Sequence, residues 1–104
     1  EAQQPAAEPG KTVRIQCTGF IVHAAKIYTK FWSTRDAGQV PFEFRVGQGK
    51  VVKGLDDGIL QMRKGEKKEI FCSPENAYGA TGFPAWNIPP YSALKYDVEL
   101  LDVK

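Results

Sequence analysis

The chain has 104 residues, 42% of them hydrophobic and 25% charged, with a formal net charge of +2, which suits one globular domain with one modest core rather than two. Acids and bases interleave, and the densest basic run, RKGEKKE from Arg63 to Glu69, is broken by Gly65 and Glu66, so it reads as a solvated turn and no nucleic-acid partner is expected. No apolar stretch approaches the roughly 20 residues of a membrane span and no charged-then-apolar leader opens the chain, so a cytoplasmic protein without a membrane partner is expected.

Residues Glu1 to Gly10, EAQQPAAEPG, show no apolar periodicity and read as a flexible leader or linker, with the domain running from Lys11 to Lys104. TVRIQCT, from Thr12 to Thr18, alternates, with Val13, Ile15 and Cys17 on one face, as a half-buried strand does. A second extended piece is expected around Phe31. The same period returns in FEFRV, where Phe42, Phe44 and Val46 oppose Glu43 and Arg45, and again in KKEIFCS from Lys67 to Ser73. It is clearest in LKYDVELLDV, where Leu94, Tyr96, Val98 and Leu100 face inward and Lys95, Asp97 and Glu99 outward. One stretch departs toward a period of 3.6. In KGLDDGILQMRKG the apolar residues Leu55, Ile59 and Met62 fall at i, i+4 and i+7, Asp56 and Asp57 occupy the first turn, and Gly65 supplies a stop. One short helix on a mostly antiparallel sheet is an α+β architecture.

The usual catalytic inventory is thin. The single histidine, His23, lies in IVHAAK with no nucleophilic motif around it and reads as a loop residue. No Ser-His-Asp or Cys-His arrangement can be assembled, and Asp56 and Asp57, adjacent in a helical turn, point in different directions. The glycines of GQGKVVKG lack the order of a phosphate loop and serve to turn the chain into the helix. The two cysteines, Cys17 and Cys72, lack metal-ligand spacing; they read as free thiols, or as a bridged pair if their strands are neighbours. What stands out is YGATGFPAWNIPP, from Tyr78 to Pro90, rich in glycine and proline yet bearing large apolar side chains, whereas ordinary surface loops are polar. Phe31, Trp32, Phe42, Val51, Val52, Tyr78, Phe83, Trp86, Ile88 and Tyr96 all lie near loops. A concave apolar pocket with a few polar groups is the ligand site such residues would build.

The segment from Val40 to Val103, with SPENAYGATG, IPP before an alternating last strand, and GKVVKGLDDG as its most specific pieces, resembles the FKBP family of immunophilins, which are peptidyl-prolyl cis-trans isomerases. With TGF and KFWSTRD upstream, the resemblance covers nearly everything from Lys11 onward, and CTGF, KFWST and GFPAW are most similar to small single-domain plant members. It implies a five-stranded antiparallel sheet wrapped around one short helix, with a ligand groove between them. It further implies that Tyr78 donates its hydroxyl to a ligand carbonyl and that the Val51-Val52 backbone hydrogen-bonds the bound chain. Phe31, Phe42, Ile88 and Tyr96 would wall the proline pocket over a Leu55 floor, with Phe83 and Trp86 at the rim. The implied partners are proline-containing peptides or proteins and macrolides such as FK506 and rapamycin; the implied state is a monomer that needs no cofactor or metal.

The chain departs from the family pattern at several pocket positions. Cys17 stands where many members have a tyrosine, Trp32 where they have an aspartate, Ala37 and Gly38 where an arginine usually lies, and Leu55 in place of the floor tryptophan. These losses imply weaker macrolide binding and, as an alternative to an active isomerase, a binding module for apolar or proline-containing segments. The family's first strand has no clear counterpart before Lys11. In the family's sheet the strands of Cys17 and Cys72 lie close, which implies a disulfide beside the groove as the alternative to two free thiols.

Overall fold

The computed structural model describes residues 6–24, 27–60 and 62–104, and of Trp86 the backbone alone. Four strands appear where the period-two pattern places them, β1 (Thr12–Ala24), β3 (Phe42–Arg45), β4 (Lys67–Cys72) and β5 (Ala93–Val103), and β2 (Ile27–Ser33) is the extended piece expected around Phe31. They form one antiparallel sheet in the order β2-β1-β5-β4, with β3 pairing the first half of β1 beside β2. The single α-helix, α1 (Lys53–Ile59), and two short 3-10 turns (Pro74–Asn76 and Pro84–Trp86) complete the fold. This is the α+β architecture read from the sequence.

Alternation explains the layering. Val13, Ile15, Cys17 and Ile21 of β1 share the inner face with Ile70 and Cys72 of β4 and Leu94, Tyr96, Val98 and Leu100 of β5, all buried. Leu55 and Ile59 of α1 pack into that face, and Met62 joins them although the helix ends at Ile59 rather than continuing toward Gly65. Leu60 leaves helical geometry with ψ 136°, and Met62 is carried back to the core by a turn in which its N–H donates to the Ile59 carbonyl at 2.9 Å. On the outer face the Lys95 ammonium lies 5.1 Å from the Phe20 ring centre and 4.7 Å from that of Tyr28, and it pairs with Glu69 and Asp97.

The segment before Lys11 already packs on the rest of the chain: Ala7 is fully buried and its N–H donates to the Met62 carbonyl at 2.7 Å, Ala6 bridges to Arg63, and the Gly10 N–H donates to the Val46 carbonyl at 2.9 Å. Small residues can nest there without leaving any periodic signal. Residues 1–5 of the expected leader lie outside the described residues. Cys17 and Cys72, moreover, are both free and buried, and the bridge between them is not formed in this structure. Their strands are not neighbours but flank β5, where Cys17 faces Val98 and Cys72 faces Leu94. His23, read from the sequence as a loop residue, sits exposed near the end of strand β1, its Nε2 within 2.7 Å of Thr29 Oγ1.

Candidate active site

An apolar groove of about 370 Å³ opens beside α1, floored by Leu55 and flanked by Tyr96 of β5, Trp32 and Thr34 after the β2 bend, Phe42 of β3, Val51 and Val52 before the helix, and Tyr78. Of the residues singled out in the sequence, Trp32, Phe42, Val51, Val52, Leu55, Tyr78 and Tyr96 meet here. The others stand behind them. Phe31 meets Tyr96 edge to face, ring centres 6.0 Å apart at 81°, and Phe83 stacks on Tyr78 at 5.0 Å and 17°. Ile88 is 3% exposed, held under the loop by reciprocal backbone bonds with Phe83 of 2.9 and 3.1 Å. Cys17 lies wholly in the core rather than in the groove. The side chain of Trp86 is outside the described residues.

Phe31 and Trp32 are consecutive in a strand and would ordinarily point to opposite faces. The β1–β2 register shifts between them: Gly19 pairs with Trp32 and Phe20 with Lys30, which leaves Phe31 as the extra residue of a β-bulge. The bulge turns both aromatic rings toward the groove side. Gly19 completes the arrangement, since a Cβ there would sit 2.6 Å from the tip of the Phe31 ring. Trp32 meets Phe42 edge to face at 6.0 Å, and Phe42, itself 36% exposed, stacks on Phe44 at 5.3 Å.

The Val51-Val52 segment is set by Asp56. This carboxylate is 6% exposed and accepts the Gly47 N–H at 2.7 Å and the Gly49 N–H at 3.2 Å. Both glycines have positive φ, 78° and 70°, so the GQGK turn needs them for its shape as well as for those bonds. Asp57, by contrast, points outward to Lys53 at 2.7 Å. The Val52 carbonyl accepts the Asp56 N–H at 3.0 Å, whereas the Val51 carbonyl and the Val52 N–H have no intramolecular partner among the described residues.

Polar groups in the groove are few. Thr34 Oγ1 accepts the Cys17 N–H at 2.9 Å and donates to Gln16 Oε1 at 2.6 Å, so its one proton is committed within the protein. Tyr78 and Tyr96 each bring a phenol hydroxyl to the groove lining. Burial pushes both phenols above their ordinary range, and for Tyr78 the nearness of Tyr96 offsets part of that rise. Burial likewise raises the Cys72 thiol to about 11 and Cys17 further still, so neither is a thiolate at neutral pH. The sequence reading missed Thr34, Gln39, Val40, Pro41 and Lys50, which also line the groove. They come from loops without periodicity, and only pairing of β3 against β1 brings them there. A hollow of about 400 Å³ on the outer face, lined by Lys67, Lys68, Glu69, Asp97 and Glu99 among others, is open and mixed in charge, which makes it an ordinary solvated surface.

Against known proteins, the model of the FKBP-type peptidyl-prolyl cis-trans isomerase family matches residues 3–101. The peptidyl-prolyl cis-trans isomerase FKBP12 of Arabidopsis thaliana is 48% identical over 100 residues, covering 96% of this chain and 88% of the relative. That of Vicia faba is 48% identical over 97 residues, or 93% and 86% of the two chains. FK506-binding protein 1A of Emericella nidulans is 44% identical over 96 residues, or 92% and 83%.

Proposed function

The chain belongs to the family of FKBP-type peptidyl-prolyl cis-trans isomerases and is a rotamase, and we propose that it rotates X-Pro bonds in the groove floored by Leu55. The observation that carries this placement is the groove's makeup: aromatic and aliphatic walls, two phenol hydroxyls and an unpartnered stretch of backbone.

That makeup suits the reaction. Turning a peptide bond costs about 18–20 kcal/mol because resonance is lost, while the two X-Pro isomers lie within roughly 1 kcal/mol of each other. No covalent bond is made or broken, so no nucleophile is required. The twisted amide is less charge-separated than the planar one, and an apolar groove therefore favours it relative to the ground state. Phe42, Val51, Leu55 and the Tyr96 ring supply that environment for the prolyl ring. The Val52 N–H and Val51 carbonyl hold the extended chain beside it, and the Tyr78 hydroxyl donates to a carbonyl next to the rotating bond. Donation to the rotating amide's own oxygen would favour the planar form, whose oxygen carries more charge.

The same groove takes macrolides such as FK506 and rapamycin, with less affinity than a pocket having a tryptophan floor, because Leu55 offers less contact and Thr34 is engaged with Gln16 and Cys17. The working state is a cytoplasmic monomer acting on proline-containing chains. Cis-trans exchange of a short Leu-Pro peptide, followed by NMR with and without catalytic protein, tests the reading alongside Tyr78→Phe and Phe42→Ala. Acceleration that falls in both variants is expected; a folded protein without effect would leave a binding module for proline-containing segments.

A further inference from the structure

Resting on the reading that Tyr78 donates to a carbonyl of the bound chain, we infer that Phe83 is a positioning residue. Its ring, tied to the core through Ile88, stacks on Tyr78 and holds the phenol where its hydroxyl can reach that carbonyl. Tyr78 lies half-buried in a turn, outside any helix or strand. Its aim therefore depends on what the loop packs against it.

The backbone of that loop is tied down at several points. The Gly79 N–H donates to the Pro74 carbonyl at 2.9 Å, the Gly82 N–H to the Tyr78 carbonyl at 3.1 Å, and the Tyr91 N–H to the Gly79 carbonyl at 2.8 Å. Phe83 and Ile88 exchange two backbone bonds, of 2.9 and 3.1 Å, across the 3-10 turn at Pro84–Trp86, and Ile88 is buried. Gly82 permits this closure, since a Cβ there would lie 2.5 Å from the Ile88 carbonyl oxygen and 2.9 Å from backbone atoms of Pro89 and Pro90. Phe83 is thus delivered by a small hairpin whose return arm is anchored in the core.

None of these bonds restrains the Tyr78 side chain, which can still turn about its own torsions. The stack supplies that restraint. The two ring centres lie 5.0 Å apart with the planes at 17°, the displaced parallel arrangement that aromatic pairs favour. A phenol swung out of the groove would forfeit the stack, whereas the orientation that lines the groove keeps it, so the ring is aimed before a chain arrives. Phe83 stands behind Tyr78 and is not itself part of the groove lining, so its influence on a bound chain passes through Tyr78. Leucine at position 83 would fill the space without offering a flat face.

The test is a double-mutant cycle on Leu-Pro exchange with wild type, Phe83→Leu, Tyr78→Phe and the double variant. Phe83→Leu is expected to lower kcat/KM by about 2- to 10-fold, the range one aromatic pair contributes, and by less than about 1.5-fold once the Tyr78 hydroxyl is gone. Phe83→Tyr, which keeps the stacking face, should stay within about twofold of wild type. Equal losses on both backgrounds, no loss from Phe83→Leu, or a loss from Phe83→Tyr as large as that from leucine would overturn the inference. A measurement on the wild type alone guards against a leucine variant that does not fold: NMR couplings about χ1 of Tyr78 should report one rotamer in the free protein, and rotamer averaging also overturns it. If Tyr78→Phe retains full activity the assignment of Tyr78 itself fails; if it is impaired while Phe83→Leu is not, only the positioning role does.

Discussion

Replacing Asp56 by alanine tests whether the groove's backbone edge is built by one buried carboxylate. The substitution removes charge-assisted bonds to the Gly47 and Gly49 N–H groups, at 2.7 and 3.2 Å, together with an acidic group in the first turn of α1. Hydrogen bonds to charged groups contribute about 1.5–3 kcal/mol each when buried, but both glycines are exposed and water recovers much of the loss. A net destabilisation of about 2–3 kcal/mol remains, including the few tenths from the helix dipole. For a domain of this size that lowers Tm by roughly 10 °C. The turn then no longer fixes Val51 and Val52, and a misplacement of about 1 Å in a positioned substrate costs up to about 100-fold in rate. Urea unfolding with an unchanged m-value, and Leu-Pro exchange well below the new Tm, read the two effects. Asp56→Asn, which keeps one acceptor oxygen, should fall between wild type and alanine on both. A stability change under about 0.5 kcal/mol, or full activity in Asp56→Ala, would refute the clamp.

Stability should fall steeply in alkali: thiols ionise near 9.0 in the unfolded chain, while burial holds Cys72 to about 11 and Cys17 higher, so the folded state keeps protons the unfolded one loses. The contribution is whole below pH 9 and is lost as pH rises toward 11, at about 1.4 kcal/mol per pH unit for each thiol; Cys72→Ala should flatten the slope by that amount, and level stability from pH 8 to 10.5 would contradict it. For the same reason native protein should react slowly with a thiol reagent and show two thiols once denatured, whereas none in unreduced protein would reveal a Cys17–Cys72 bridge. Lys50 is the one charged side chain lining the groove among the described residues, so peptides with Glu beside the proline should be turned over about 2- to 5-fold better than those with Lys. High salt should erase that preference and Lys50→Glu reverse it; indifference in all three would remove Lys50 from substrate choice. Leu55→Trp should tighten FK506 binding roughly tenfold through about 1–1.5 kcal/mol of added apolar burial, read by the fluorescence of Trp32 in the groove wall; equal affinities would show that the floor does not limit binding.

β1, β3, β4 and β5 were legible because each buries chiefly one face, and Val13-Ile15-Cys17 or Leu94-Tyr96-Val98 therefore alternate with polar residues, whereas β2 has no alternating buried face and was legible only as an extended piece around Phe31. Most of the groove was legible through the family resemblance, which named Tyr78, Phe42, Val51, Val52 and Leu55 together. Three features were not. The bulge at Phe31 is a property of two strands' register, and neither strand alone encodes it. The packing of Ala7 onto Met62 involves a side chain too small to mark a pattern. The end of α1 at Ile59 is hidden because Met62, though outside the helix, still points into the core and so extends the helical period falsely.

The position of the groove follows from a mismatch of lengths. Helix α1 has seven residues and spans about 10 Å, whereas β1 and β5, with 13 and 11 residues, run about 36 to 43 Å at ordinary strand rise. A helix that short covers only part of the inner face. Where Leu55, Ile59 and Met62 reach the sheet the core is sealed; beyond Leu55 the inner face still presents Tyr96, which must be shielded by something else. The bulged end of β2, the Val40-to-Phe42 entry to β3 and the Tyr78-to-Pro90 loop do this incompletely, and what they leave is the groove. This is why the loop is apolar: it finishes a core that the helix cannot. It also explains how Trp32 and Leu55 can line this end of the fold, since an apolar lining is what the exposed end of the core already requires.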